Sequence, residues 1–336
     1  MLPRLSVLDV APVGPGVPAS QAFSWSTDVA QAAERLGFHR FWVAEHHAVA
    51  DIGASAPAVL IAHLAARTTT LRLGSGGVML PNHAPLVVAE QFCTLHALHP
   101  GRIDLGVGRA KGGEPAAVRA LGRAPDGGAP ERFADQLDEL GTFLRSRFPS
   151  GHPYETVSPS PSTDPPPVYL LGSSEESARF AGQRSLRFAF AHHLAPQVTA
   201  TALAAYRAAF QPSPELAAPY AIATVIVVCA STQDEAERAA VAAALIRVRR
   251  ALASRRGTDA TVDELLAREM TTDEMARVAE ALTAPGILVG SPGAVREGML
   301  ALARASGADE LMLCALEYEG PGRIRTLTSV ACAWAG

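Results

Sequence analysis

The chain has 336 residues, of which 48% are hydrophobic and 18% charged, with a formal net charge of −4. That length supports a large buried core, arranged as two domains or as one big barrel. The charge balance offers neither the basic footprint of a nucleic-acid binder nor an acidic tail.

The start, "MLPRLSVLDVAP", lacks the long apolar core of a signal peptide, because Arg4 and Asp9 interrupt it. The most apolar run, "YAIATVIVVCA" at 220–230, is too short to span a bilayer and is rich in β-branched residues, so it reads as a buried strand. A cytoplasmic protein with no membrane partner is expected. Cys93, Cys229, Cys314 and Cys332 are far apart without CxxC pairing, which predicts free thiols rather than disulfides or structural zinc.

Along the chain, strand, loop and helix repeat. "RLSVLDV" (4–10) is a first strand, and 20–37 is a helix with Ser20 as its expected cap and Gly37 as its stop. "FHRFWVA" is the second strand and 54–68 the second helix. "LRLGSGGVML" (71–80) holds the third strand, followed by a helix over 84–99, and "RIDLGVG" (102–108) is the fourth strand. A helix follows at 130–148, then the proline-rich loop "PSPSTDPPP". "VYLLG" (168–172), "RFAFA" (187–191) and "IATVIVVCA" (222–230) are strands five to seven, with helices over 173–185, 196–210 and 231–255. A helix at 291–307 and "ELMLCAL" (310–316) supply the eighth strand unit.

Eight such units predict a (β/α)8 barrel, with an open doubly wound sheet as the alternative. Residues 257–288 are surplus to eight units and read as a helical insertion after strand seven. All strand C-termini of a barrel converge on one face, where sites are built. Glu45, His46 and His47 leave strand two there. Side chains alternate along extended chain, so His46 and His47 cannot both point inward.

Four segments, taken in order, resemble the luciferase-like flavin monooxygenases, the family of bacterial luciferase: "RFWVAEHHAVADIGASAPAVLIAHLAART", "LRLGSGGVMLPNHAPLVVAEQFCTLHALHPGRIDLGVGRAKGG", "VYLLGSSEESARFAGQRSLRFAFAHH" and "GSPGAVREGMLALARASGADELML". The resemblance covers nearly the whole chain. It implies a (β/α)8 barrel that holds reduced FMN at the strand C-termini. There the reduced flavin reacts with O2 to form a C4a-peroxide that oxygenates the substrate.

Carried over residue by residue, His46 takes the place of the active-site histidine, an imidazole able to take or return a proton near neutral pH. Glu45 is expected to orient or pack, and His47 to be structural. Ser75, Gly76 and Gly77 lie where relatives have a non-proline cis peptide beneath the flavin ring. Two glycines would let backbone approach a flat ring, although a simple glycine bulge gives the same pattern. Arg109 matches the phosphate-binding arginine, with a guanidinium fork suited to phosphate oxygens. Ser173, Ser174 and Ser177 open the helix after strand five, where hydroxyls and free amides suit an anion, or serve as plain caps. Glu175 and Glu176 would repel phosphate and are expected to point away.

The sequence departs from luciferase at two places. His192 and His193 stand where luciferase is aromatic, which puts a long-chain aldehyde substrate in doubt. Gly108 replaces a reactive cysteine and opens the pocket near the flavin. Together Gly108, His192 and His193 are candidates for the substrate pocket.

No metal is expected, although a metal-dependent hydrolase using His46, His47, His192 and His193 is a rival reading. A non-catalytic flavin-binding protein and a deazaflavin-dependent reductase of the same superfamily are others. Nothing resembles an NAD(P)H site, so a separate flavin reductase is the expected partner. The expected substrate is a small molecule, with a polyketide-type intermediate of antibiotic biosynthesis as one candidate. Helices 55–67 and 85–99 carry a second apolar face that predicts a homodimer. The insertion at 257–288, bounded by Gly257 and by Pro285 and Gly286, is expected to be a mobile lid that keeps water from the site.

Overall fold

The computed structural model describes residues 2–110, 115–122, 130–146, 148–161, 164–253 and 261–335. Along it run β1 (Arg4–Asp9), α1 (Ala19–Arg35), β2 (Arg40–Val43), α2 (Pro57–Ala65), β3 (Arg72–Ser75), β4 (Val78–Met79), α3 (Pro85–Leu98), β5 (Ile103–Gly108), α4 (Pro115–Ala120) and α5 (Pro130–Arg145). There follow β6 (Val168–Gly172), α6 (Glu175–Gln183), β7 (Arg187–Phe190), α7 (Thr199–Ala209), β8 (Ala221–Cys229), α8 (Gln233–Ala253), α9 (Val262–Ala267), α10 (Thr272–Thr283), β9 (Ile287–Gly290), α11 (Pro292–Ser306), β10 (Glu310–Ala315) and α12 (Gly320–Ala335). Every strand pairing in the sheet is parallel, and β10 pairs with both β1 and β8. The order β1-β2-β3-β5-β6-β7-β8-β10 therefore closes on itself, giving the expected eight-stranded barrel.

Side-chain alternation divides the apolar residues into two bodies. In β2 all four residues are buried. Phe41 and Val43 face the helices and join the large cluster between sheet and helix layer. Trp42 faces the bore with Tyr169, Ala189, Ile222 and Met312. Below this small inner core lies a charged plug. Arg40 donates to Asp104 at 2.6 Å, to Tyr169 at 2.7 Å and to Glu310 at 2.8 and 3.1 Å. Burial alone would favour a neutral guanidine, but Asp104 and Glu310 outweigh it and raise the Arg40 pKa. Arg72 adds a second contact to Asp104, and Ser6 one to Glu310.

The helix ring differs from the expected one. α11 packs between α7 and α12, and α12 packs against α1. The ring position after β8 thus belongs to α11, not to the helix that directly follows that strand. α8 stands outside the ring with α9, α10 and β9, so the excursion starts at the end of β8 rather than at 257. Its first expected residues, including Gly257, lie outside the described residues. The return strand β9 pairs with the upper half of β8, Ile226 to Cys229. Gly286 crosses the end of β7 so closely that an added Cβ would lie 2.5 Å from the His193 Cα.

Other local expectations shift slightly. α1 begins after Pro18 without a side-chain cap, so Ser20 sits inside the first turn rather than capping it. The Pro18 carbonyl accepts from the amides of Gln21 at 2.9 Å and Ala22 at 3.3 Å, which closes the first turn. Among the described residues no helix is long and apolar enough to cross a membrane.

Candidate active site

The wall beside β2 is built from glycine. β3 pairs Gly74 with Asp104, and β4 pairs Val78 with Val107. One residue more lies between these pairs on the first strand than on β5, which is a bulge. It contains the Gly76–Gly77 peptide, which is cis as the resemblance implied. Ser75 stitches the interrupted ladder: its hydroxyl donates to the Gly106 carbonyl at 2.8 Å and accepts from the Gly106 amide at 3.0 Å. Ser75 is fully buried, so its part here is to hold the bulge. The approach is so close that a Cβ on Gly106 would fall 2.0 Å from the Ser75 carbonyl oxygen. At Gly108 a Cβ would meet nothing nearer than Leu171 at 3.9 Å, so the wall opens there.

The two imidazoles part: His47 shares a side with Glu45, to which it is hydrogen-bonded, and His46 between them has the parity of the bore-facing Trp42. Glu45 is a hub with 1% exposure. One carboxylate oxygen accepts from His47 Nε2 at 2.7 Å and from His83 Nε2 at 2.8 Å, and the other from the Met79 amide at 3.0 Å. Burial would raise the Glu45 pKa, but the bonds from His83 and His47 bring it below its ordinary value. His46 is bound through its backbone to Ala54 at 2.8 Å, while its buried Nδ1 has no hydrogen-bond partner. Burial lowers its pKa, as does His47, which keeps the ring neutral at pH 7.

At the end of β5, Arg109 is 52% exposed and lies 3.9 Å from Glu176. Glu175 turns aside to Arg179 at 3.1 Å, so only one of the two acids expected to point away does so. Ser174 caps α6, accepting from the Ser177 amide at 3.2 Å, while the Ser177 hydroxyl donates to the Ser174 carbonyl at 2.8 Å. Those two hydroxyls are engaged with each other. Ser173 continues the parity of Tyr169 and Leu171 into the bore.

The second histidine pair separates. His192 is 8% exposed and meets the Thr199 hydroxyl at 2.8 Å, so it is turned behind the strand and under α7 rather than into the pocket. His193 lies at the mouth, 3.3 Å from the Thr224 carbonyl. The four histidines weighed as metal ligands do not converge. The group with ligand atoms mutually within 4.8 Å among the described residues is Glu45, His47 and His83, whose contacts are those of a hydrogen-bonded carboxylate. Sequence reasoning missed His83. His83 follows the bulge, and nothing local ties it to Glu45.

A closed parallel barrel with an imidazole, a glycine wall and a loosely held arginine at its C-terminal mouth defines an α/β-barrel enzyme site. Residues 4–310 match the family model for luciferase-like monooxygenase. A luciferase-like monooxygenase of Escherichia coli K12 is 41% identical over 324 residues, covering 96% of this chain and 94% of the relative. The N-acetyl-S-alkylcysteine monooxygenase of Bacillus subtilis is 42% identical over 248 residues, 73% of each chain. The crystal structure of apo-MsnO8 superposes with a TM-score of 0.88 at 37% identity, covering 99% of both chains. The chain belongs to the luciferase-like monooxygenase family.

Proposed function

We propose that the protein is a two-component monooxygenase that uses reduced FMN and O2 to oxygenate a small organic molecule. The observation that carries this is the mouth itself. A weakly paired guanidinium stands beside a serine-bearing helix start, next to a wall whose glycines keep side chains out. These residues fit FMN. Arg109 and Ser173 would hold the phosphate once Glu176 swings aside, and it is 76% exposed and free to do so. Gly76, Gly77 and Gly108 would lie against the ring. When bound, the reduced flavin would supply electrons and the oxygen-activating centre.

The chain's own residues do the rest. His46, neutral and with Nδ1 unpartnered, takes and returns a proton. Glu45 orients the β2 turn through His47, His83 and the Met79 amide. α8 roofs the mouth: Arg250 donates to the carbonyls of Val13 at 2.6 Å and Ala50 at 3.1 Å, in the loops after β1 and β2. α9 and α10 are held on α8 by buried Arg249, which meets Glu274 at 2.9 Å. We read this excursion as the cover that keeps water out. Reduced flavin comes from a separate reductase. Two copies pair through α2 and α3, where Val59, Leu98 and Val87 are 72%, 65% and 46% exposed.

The test is a titration with FMN and with a deazaflavin, in both oxidation states, followed by oxygen uptake with a reductase. Tight binding of reduced FMN, with oxygen consumed in step with product, is expected. Preference for the deazaflavin, or hydride transfer without oxygen uptake, would overturn the reading. The N-acetyl-S-alkylcysteine monooxygenase relative makes thioether acids a first set of substrates to try.

A further inference from the structure

Five carboxylates are buried among the described residues: Asp9, Glu45, Asp104, Glu274 and Glu310. Four of them face a guanidinium. Arg40 meets Asp104 at 2.6 Å and Glu310 at 2.8 Å, Arg249 meets Glu274 at 2.9 Å, and Arg323 meets Asp9. Glu45 is the exception. Its partners among the described residues are the imidazoles of His47 and His83 and the Met79 amide. A charge taken out of water is ordinarily paired with an opposite charge or bound to a metal ion. No arginine or lysine supplies that charge here.

The same three side chains are a ligand set. His47 Nε2 and His83 Nε2 lie 2.7 and 2.8 Å from one oxygen, Glu45 Oε1, and the three atoms are mutually within 4.8 Å. Two imidazole nitrogens and one carboxylate oxygen, with a fourth position left to water, make up a three-ligand zinc site. Ligand atoms on a tetrahedral zinc ion stand roughly 3.3 Å apart for bonds of about 2.0 Å, so each imidazole has to back away by about half an ångström. His47 and His83 are 17% and 30% exposed, which gives them that freedom and leaves the fourth position open to solvent. The other carboxylate oxygen stays on the Met79 amide at 3.0 Å, so Glu45 keeps its aim. In the hydrogen-bonded form each Nε2 carries the proton; on an ion that proton moves to Nδ1.

We propose that Glu45, His47 and His83 bind a divalent first-row transition ion of the zinc class. Nitrogen donors select such an ion over magnesium or calcium, which favour oxygen alone. Glu45 and His47 come from the turn after β2, and His83 from the turn after β4, just beyond the glycine bulge. The ion would tie these two turns together. His46 lies between the ligands in sequence but is set to the other side of the chain, so the ion takes no part in its proton transfer. The proposal does not rest on the choice of flavin or on the oxygenase reading.

The test is calorimetric titration of the full chain, first stripped with a chelator, with zinc and separately with magnesium and calcium. Zinc should bind at one ion per chain with a micromolar or tighter dissociation constant, and the other two far more weakly. A glutamine amide can still donate to Glu45 but is a poor zinc ligand. His47→Gln and His83→Gln should therefore fold, yet lose more zinc affinity than the roughly 10–100-fold that changes beyond the ligands cost. X-ray absorption at the zinc edge of the wild type needs no variant, and should count two imidazoles and one carboxylate. Unchanged affinity in both glutamine variants, or a spectrum without two imidazoles, would mean an adventitious ion only and overturns the proposal. No saturable zinc binding, or magnesium or calcium bound as tightly as zinc, overturns it as well and leaves Glu45 as a hydrogen-bonded brace.

Discussion

His46 and Arg109 are the residues whose removal separates chemistry from binding. His46→Ala should fold and bind FMN normally, yet lose roughly 10²–10⁴-fold in turnover, the range for a lost acid–base group. Because burial lowers the His46 pKa, the wild-type rate should fall on the acid side only below the ordinary histidine range. That acid limb should vanish in His46→Ala; a profile that keeps it places the proton elsewhere, with His193 the next candidate. Arg109→Ala should weaken reduced FMN by about 1.5–3 kcal/mol, the worth of a charge-assisted bond, as read by titration. Unchanged affinity would remove Arg109 from the phosphate site. Their place at strand ends on one barrel face was legible in the sequence, while the roles proposed for them came from the family resemblance. The Glu45 hub was legible only in part, because His83 comes from beyond the next strand. The separation of His192 from His193 was visible in principle, since adjacent residues face opposite ways. Which of them faces inward depends on a register that one sequence does not print.

At the scale of elements, α1 and β3 are joined by a single carboxylate. Glu34, near the end of α1, accepts from the amides of Thr69, Thr70 and Leu71 at 2.8, 2.6 and 2.9 Å. Burial opposes the charge, but these bonds prevail and hold the pKa at about 2, against an ordinary 4.5. The folded state therefore binds fewer protons than the unfolded one between those values. The stabilisation is complete above pH 4.5 and is lost as pH falls toward 2. Urea midpoints of Glu34→Gln and wild type should differ most near neutrality and converge as the pH drops below 4.5. A constant gap would mean that the carboxylate charge plays no part. The strand and helix spans came close to their observed ends because the period of two and the helical period are both strong in this chain. The identity of the ring helix did not, since α8 and α11 follow equally good helical patterns. Only packing against α7 and α12 distinguishes them. For the cover, trypsin should cut near Arg268 in the free enzyme and less when FMN and substrate are bound; Arg255 and Arg256 lie outside the described residues. Equal cutting in both states would make α9 and α10 a fixed buttress on α8.

For the whole molecule, the expected assembly is a homodimer, and light scattering at micromolar concentration should give twice the chain mass. Charged substitutions at Val59 and Leu98 together should yield a monomer that still binds FMN. A wild-type monomer mass would leave the exposed side chains of α2 and α3 without that explanation. The barrel itself was readable because each of its eight units repeats the same buried strand and amphipathic helix. The charged plug was not, because Arg40, Asp104 and Glu310 each look like a polar residue at the edge of a strand. Only closure brings them together.

A barrel stoppered at its base by that plug is a cul-de-sac. Arg40, Asp104 and Glu310 are 2%, 0% and 0% exposed, so nothing passes through from below. On the proposed reading every guest then shares a single doorway beneath α8. The flat ring that lies deeper against the glycines must be seated before the substrate that closes over it. The oxygenated product must leave before the spent ring can be exchanged. The order of traffic through the enzyme is thus set at the end of the barrel farthest from its chemistry.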